Sequence, residues 1–234
     1  PIVTLADRRT VAYMIVITGL LVANWTRAAW NPWLWAALCW MSISVSVIAH
    51  NHNHLTIWRS RLMNAFQDYW LTVFYGFPVF GWIPTHNLNH HKLNNRVGDY
   101  TITYRVSESN NLLTLLTYPT ISAVFQQKPI SDFLKGMWRR NRRRFAWYVS
   151  QYVVLIAWLA TAFALDWRKA LLYVVVPQQI ATATVLIFNY IQHVHANEES
   201  ETDHSRNFVD PLLNAFLFNN GYHTVHHDQP GLHW

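Results

Sequence analysis

Four stretches of this chain are long and apolar enough to cross a lipid bilayer, and that leaves few folds open to it. They run from about Val11 to Ala29, Trp33 to Ala49, Phe145 to Leu165 and Ala170 to Ile191. A spanning helix needs roughly 20 apolar residues, within a range of about 17–25. Lipid offers no partner for a backbone N–H or C=O, so such stretches pair their own and form helices. Asn31-Pro32 breaks the chain between the first two, and Asp166-Trp167-Arg168-Lys169 forms a short turn between the last two. Each pair therefore reads as a tight hairpin. A fifth apolar stretch, residues 69–83, is shorter and carries Gly76, Pro78 and Gly81. It reads as an interfacial or re-entrant segment. The expected fold is all-α, with four transmembrane helices in two hairpins and a cytoplasmic helical cap. One domain spans residues 1–234.

Composition agrees with a membrane setting. Charged residues make up 13% of the chain, about half the usual share. The 13 Trp and 11 Tyr suit the belts that aromatic residues form at the membrane interface. A soluble protein would need more surface charge. The one cysteine, Cys39, lies in an apolar run and reads as a small buried hydrophobe. No disulfide can form within the chain, and neither a cysteine metal site nor an iron–sulfur cluster is possible. There is no G-x-G-x-x-G nucleotide fingerprint and no signal peptide with a cleavage site. The chain starts at Pro1 and stops at Trp234, and further sequence is expected on both sides.

Basic residues set the expected orientation. Arg8 and Arg9 precede the first span, and Arg139-Arg140-Asn141-Arg142-Arg143-Arg144 precedes the third. Positive loops stay cytoplasmic. Both termini and the region from His50 to Arg144 are then expected on the cytoplasmic side. The arginine run reads as a stop signal that binds anionic headgroups. It also reads as a dock for an acidic electron-transfer protein.

Histidines supply the chemistry. Of 13 in the chain, nine fall in clusters: His50 and His54, His86 with His90 and His91, His193, and His223 with His226 and His227. Most spacings are three or four, which on a helix places residues on one face. Every cluster lands on the same expected membrane face. Imidazole suits iron, zinc, copper and nickel, and nine ligands are too many for one ion, so two metals are expected. His52 is left out because it points away from His50 and His54. His195 is left out because it faces away from His193. His204 sits among Glu198, Glu199, Glu201 and Asp203 and reads as part of a solvated loop. His233 is a candidate for supporting the site from behind the ligands. Asn51, Asn53, Asn87, Asn89, Asn94 and Asn95 interleave the first two clusters. They either orient imidazoles or serve helix and turn chemistry.

The motifs HNHNH, HNLNHH, NYIQH and HTVHH resemble the histidine boxes of the membrane-bound fatty acid desaturase and hydroxylase superfamily. The ending NGYHTVHHDQPGLHW is similar to the last box of bacterial fatty acid desaturases. The resemblance implies two irons bound by His50, His54, His86, His90, His91, His193, His223, His226 and His227. It implies that Asn189, four residues before His193, holds an iron-bound water. NYIQH and the HxxxHH spacing of the second box also resemble the alkane monooxygenases. HxxxH in the first box departs from the HxxxxH of many acyl-CoA desaturases, and HxxxHH in the second from their HxxHH.

The function this implies is O2-dependent desaturation of a fatty acyl chain by hydrogen abstraction at an unactivated C–H bond. The alternative on the same scaffold is hydroxylation of an alkyl or acyl chain. A ferredoxin, rubredoxin or cytochrome b5-like donor would supply electrons, and zinc would be an inactive substitute for iron. The acyl carrier of the substrate stays open between lipid, CoA and carrier protein. A membrane metal transporter is a remote alternative. Transporters place ionisable residues at mid-membrane along the ion path, and these spans carry almost none.

Overall fold

The computed structural model describes residues 2–234, and its regular secondary structure is helical. Among the described residues there is no strand, only an isolated bridge between Ile2 and Trp58. Four helices are long and apolar enough to cross a membrane: Arg8–Thr26, Pro32–His54, Arg142–Leu165 and Trp167–His193. At most 50% of the apolar window of any of them is buried. Ile15, Val16, Val22, Val153 and Ile156 are all exposed. An apolar surface of that extent is a lipid-facing one.

The chain divides into two compact units, residues 1–52, 56–79 and 146–182, and residues 53–55, 80–145 and 183–234. In the first unit, α1 (Arg8–Thr26) is followed by α2 (Pro32–His54). Asn31 accepts hydrogen bonds from the N–H groups of Trp33 and Leu34 at 3.0 Å. Together with Pro32 in the first turn, this is a strong helix start. Buried Asn24 near the end of α1 donates to the Leu34 carbonyl at 3.1 Å. Helix α3 (Arg61–Tyr75) starts at the Ser60 cap and ends at Gly76, whose φ of 80° only glycine adopts cheaply. A Cβ at Gly76 would also lie 2.6 Å from the Gln178 side chain. The apolar stretch at 69–83 is therefore divided between the end of α3 and the segment that follows it.

Two short helical segments of other kinds follow in the chain. A 3₁₀ turn covers Val79–Gly81, and π-helix Ile83–His90 runs into α4 (His91–Leu93). Helix α5 (Leu112–Arg140) carries Pro119 and Pro129 inside it. Helix α6 (Arg142–Leu165) begins within the arginine run. Asp166 caps α7 (Trp167–Ala170), a π-helical stretch covers Leu171–Val175, and α8 (Val176–His193) completes the fourth apolar helix. Within the first unit, Lys169 donates to the Trp25 and Arg27 carbonyls, and Trp35 donates to Leu172. The turn after α1 and the turn before α7 thus lie at the same end of that unit.

In the second unit, Tyr118, Tyr190 and Val194 form a buried cluster. Short helices α9 (Pro211–Phe216) and α10 (His223–Asp228) carry the end of the chain. Gly221 lets them close together: its N–H donates to Asn214 Oδ1 at 3.0 Å, and a Cβ there would lie 2.4 Å from the Phe208 carbonyl.

Candidate metal centre

Eight imidazoles of the second unit form two groups. The ligand nitrogens of His54, His86, His91 and His226 lie within 4.8 Å of one another, and those of His90, His193, His223 and His227 do the same. His50 is 5% exposed and lies one turn before His54 on α2, in the first unit. Helix periodicity puts it on the face that carries His54.

The second box is shared between the groups, and the π-helix explains how. The N–H of His91 bonds the His86 carbonyl, five residues back. The wider turn brings His86 and His91 to the same side, with their Nε2 atoms 3.0 Å apart. His90 is turned into the other group. Under α-helical spacing His86 and His90 would have been partners. π-Bulges cluster at functional sites because they re-aim side chains in this way. The last box divides similarly. On α10, His223 and His227 are one turn apart with Nε2 atoms at 3.1 Å, while His226 joins the other group.

Local bonds hold these elements in place. Asn207 accepts from Thr224 N–H at 2.9 Å, and Ser205 bonds the Thr224 hydroxyl. Arg206 reaches the Val194 carbonyl at the end of α8. Asn94 and Asn95 have φ of 48° and 66°, so this asparagine pair serves a turn. Asn87 donates to the Asn53 carbonyl and Asn89 to the Gly98 carbonyl. The side chain of Asn95 bonds the His193 carbonyl and Thr103 N–H and also donates to Glu198.

That turn brings in a residue the sequence reading missed. Asp99 is 0% exposed and accepts from His90 Nδ1–H at 2.7 Å. It also accepts from the backbone N–H groups of Asn95 and Thr101 and from the Thr101 hydroxyl. Burial alone would raise the Asp99 carboxyl, but His90 and the Thr101 hydrogen bonds outweigh it and hold it well below the usual carboxylate range. The available signal was a loop of turn residues, Asn94-Asn95 and Gly98, directly after a histidine box.

The excluded histidines stay outside both groups. His52 donates Nε2–H to Asp68 at 2.9 Å. His195 has φ of 55° and bonds the Glu108 carbonyl. His233 lies against Trp234. His204 corrects the solvated-loop reading, because it is 5% exposed and its ring lies 5.7 Å from that of His227. Its Nε2 is 3.4 Å from Asp228.

The donor set fits metal ions. Burial first, then the charges of neighbouring imidazoles, pushes His91 down to about 2. Burial and then His54 push His226 down to about 3, and burial and then His223 lower His227 well below the ordinary histidine value. These rings are neutral at ordinary pH and keep a lone pair for a metal. His90 gives its Nδ1–H to Asp99, so its lone pair is on Nε2, which is buried with no hydrogen-bond partner. His223 Nε2 lies 2.8 Å from His193 Nε2 and 3.1 Å from His227 Nε2. One proton cannot bridge three converging nitrogens. Nitrogens each about 2.0–2.1 Å from one ion, at right angles, lie about 3 Å apart.

Comparison with protein families now decides the relationship. The family model described as fatty acid desaturase matches residues 25–234. The chain belongs to the fatty acid desaturase family. The match contains all four histidine boxes. With it come an oxidoreductase activity on acyl chains and a membrane-embedded location. No curated protein and no solved structure matches the chain.

Proposed function

We propose that this protein is a membrane-bound di-iron enzyme that desaturates a fatty acyl chain at the expense of O2. The observation that carries this reading is the sorting of imidazoles from four separate boxes into two groups whose ring nitrogens converge. His54, His86, His91 and His226 would hold one iron, with His50 as a fifth ligand from the preceding turn of α2. His90, His193, His223 and His227 would hold the other. Two bound irons would supply the reduction of O2 that makes an unactivated C–H bond reactive.

The chain's own residues bind, orient and exclude water. His90 and His193 are 1% and 0% exposed, which keeps bulk water from the second group. Asn189 donates Nδ2–H to Tyr118 Oη at 2.6 Å, and its amide oxygen is the atom we assign to a water at the metal site. Four apolar helices deliver a lipid-soluble substrate to this site without desolvating it from water. We place the helices in two hairpins, with the termini, the helical cap and the metal site on the cytoplasmic side, following the arginine distribution. An external one-electron carrier of the ferredoxin, rubredoxin or cytochrome b5 kind would supply electrons. Zinc would occupy the same nitrogens and give an inactive protein.

The second reading is hydroxylation, favoured by the HxxxHH and NYIQH boxes. Lipid mass spectrometry of a host expressing the chain with an electron donor separates the two. A product lacking two hydrogens is expected. A product with one added oxygen would replace desaturation by hydroxylation. No new product, from protein shown to carry iron, would overturn both.

A further inference from the structure

Asp99 is a buried carboxylate whose partners are all within one loop, except for a metal-ligand candidate. Its Oδ2 meets His90 Nδ1 at 2.7 Å and Asn95 N–H at 2.9 Å. Its Oδ1 takes the Thr101 N–H at 2.7 Å and the Thr101 hydroxyl at 2.8 Å. Among the described residues, no lysine or arginine pairs with this carboxylate. A buried charge is costly without an opposite one nearby. Arg105 reaches only the Asp99 backbone carbonyl, at 2.7 Å, while on the far side of the His90 ring Nε2 is buried and unpartnered.

The loop is held so that the carboxylate cannot follow a moving ring. Asn89 brackets it by accepting from Tyr100 N–H and donating to the Gly98 carbonyl. Tyr118, 4% exposed, donates to the Thr101 carbonyl at 2.5 Å. The ring of His90 is therefore fixed in one tautomer and one rotation. A carboxylate behind a ligating imidazole also makes the other nitrogen a stronger donor.

We propose that Asp99 is a positioning residue that makes the two metal groups unequal, so that the His90 group holds its ion more tightly than the His54 group. This rests on reading the histidine groups as metal sites. It adds to that reading an order of filling and release.

The test is a chelator titration of metal-loaded protein, with iron and, separately, zinc counted by elemental analysis. Wild type should release its metal in two steps. The tighter step should weaken about 10- to 100-fold in Asp99→Asn, the usual cost of losing such a partner. The looser step should stay within about twofold. Asp99→Asn with an unchanged tighter step, or weakening both steps equally, overturns the inference. If Asp99→Asn gives no folded protein, Thr101→Val decides. That change keeps the charge and removes the Thr101 hydroxyl from both Asp99 Oδ1 and His90 Nδ1, which it meets at 2.8 and 3.0 Å, so the tighter step should weaken about fivefold, and an unchanged step overturns the inference. A folded wild type that takes up no metal overturns the metal-centre reading itself. One that releases both ions in a single step overturns only their ranking by Asp99.

Discussion

The two histidine groups have the same number of imidazoles from the second unit but different surroundings. In the His90 group three of four rings are buried, and a buried carboxylate stands behind one of them. In the His54 group His54, His91 and His226 are all partly exposed. The difference teaches that residue type and spacing supply the donor atoms, while depth and the hydrogen bonds behind the rings set how exposed and how fixed those atoms are.

Removing one ligand from each group is the strongest way to break this comparison. His90→Ala and His226→Ala should each abolish product formation while the protein still inserts in the membrane. Each should also lose about one of two metals, because the groups share no ligand. Loss of both metals from either variant would mean that the groups are a single cooperative site. Retained turnover in either would remove that residue from the site.

Acidification should come next in size. His91 and His226 are held far below the ordinary histidine value of about 6.5, at about 2 and about 3. Unfolding returns them to that value, so the unfolded chain takes up protons that the folded one refuses. Their stabilising contribution is whole above about pH 6.5 and shrinks as pH falls toward the folded values. At pH 5 each should have lost about 2 kcal/mol. Thermal unfolding of metal-free protein at pH 8 and pH 5 measures this. A melting temperature that does not fall at pH 5 would show that these rings titrate normally.

His52→Ala sharpens the comparison from outside both groups. Its ring bonds Asp68, which also accepts from Trp147 at 3.3 Å. Stability should fall by about 1–3 kcal/mol from the lost hydrogen bond and the stranded carboxylate, while metal content stays at wild-type level. A loss of metal would place His52 among the ligands. Asn189→Ala should have the smallest effect on binding. Metal content should stay unchanged and turnover should drop about tenfold, as expected when one positioned polar contact is removed. Unaltered turnover would strip Asn189 of its role.

How far the sequence reading reached follows from the range of the forces involved. Each apolar helix depends on its own composition, so all four were visible, although α2 runs on through His54 and carries the first box on its last turn. Helix α5 was not foreseen as one element. Pro119 and Pro129 lie inside it, and a proline costs a helix that only tertiary packing of residues such as Tyr118 and Ile130 repays. His204 was misread because acidic neighbours in sequence do not reveal that the chain folds back over the ring.

By itself, the sequence determined the helical class, the membrane-crossing stretches, the four boxes and the kind of donor atom they offer. These properties are local, set by hydropathy and by residue type within a few positions. Tertiary structure alone decided which imidazoles work together. A single widened turn at Ile83–His90 sends His86 and His91 one way and His90 another. A loop reversal through Asn94, Asn95 and Gly98 sets Asp99 behind His90. Both depend on backbone geometry and on residues far apart in the chain, and residue spacing carries no record of either.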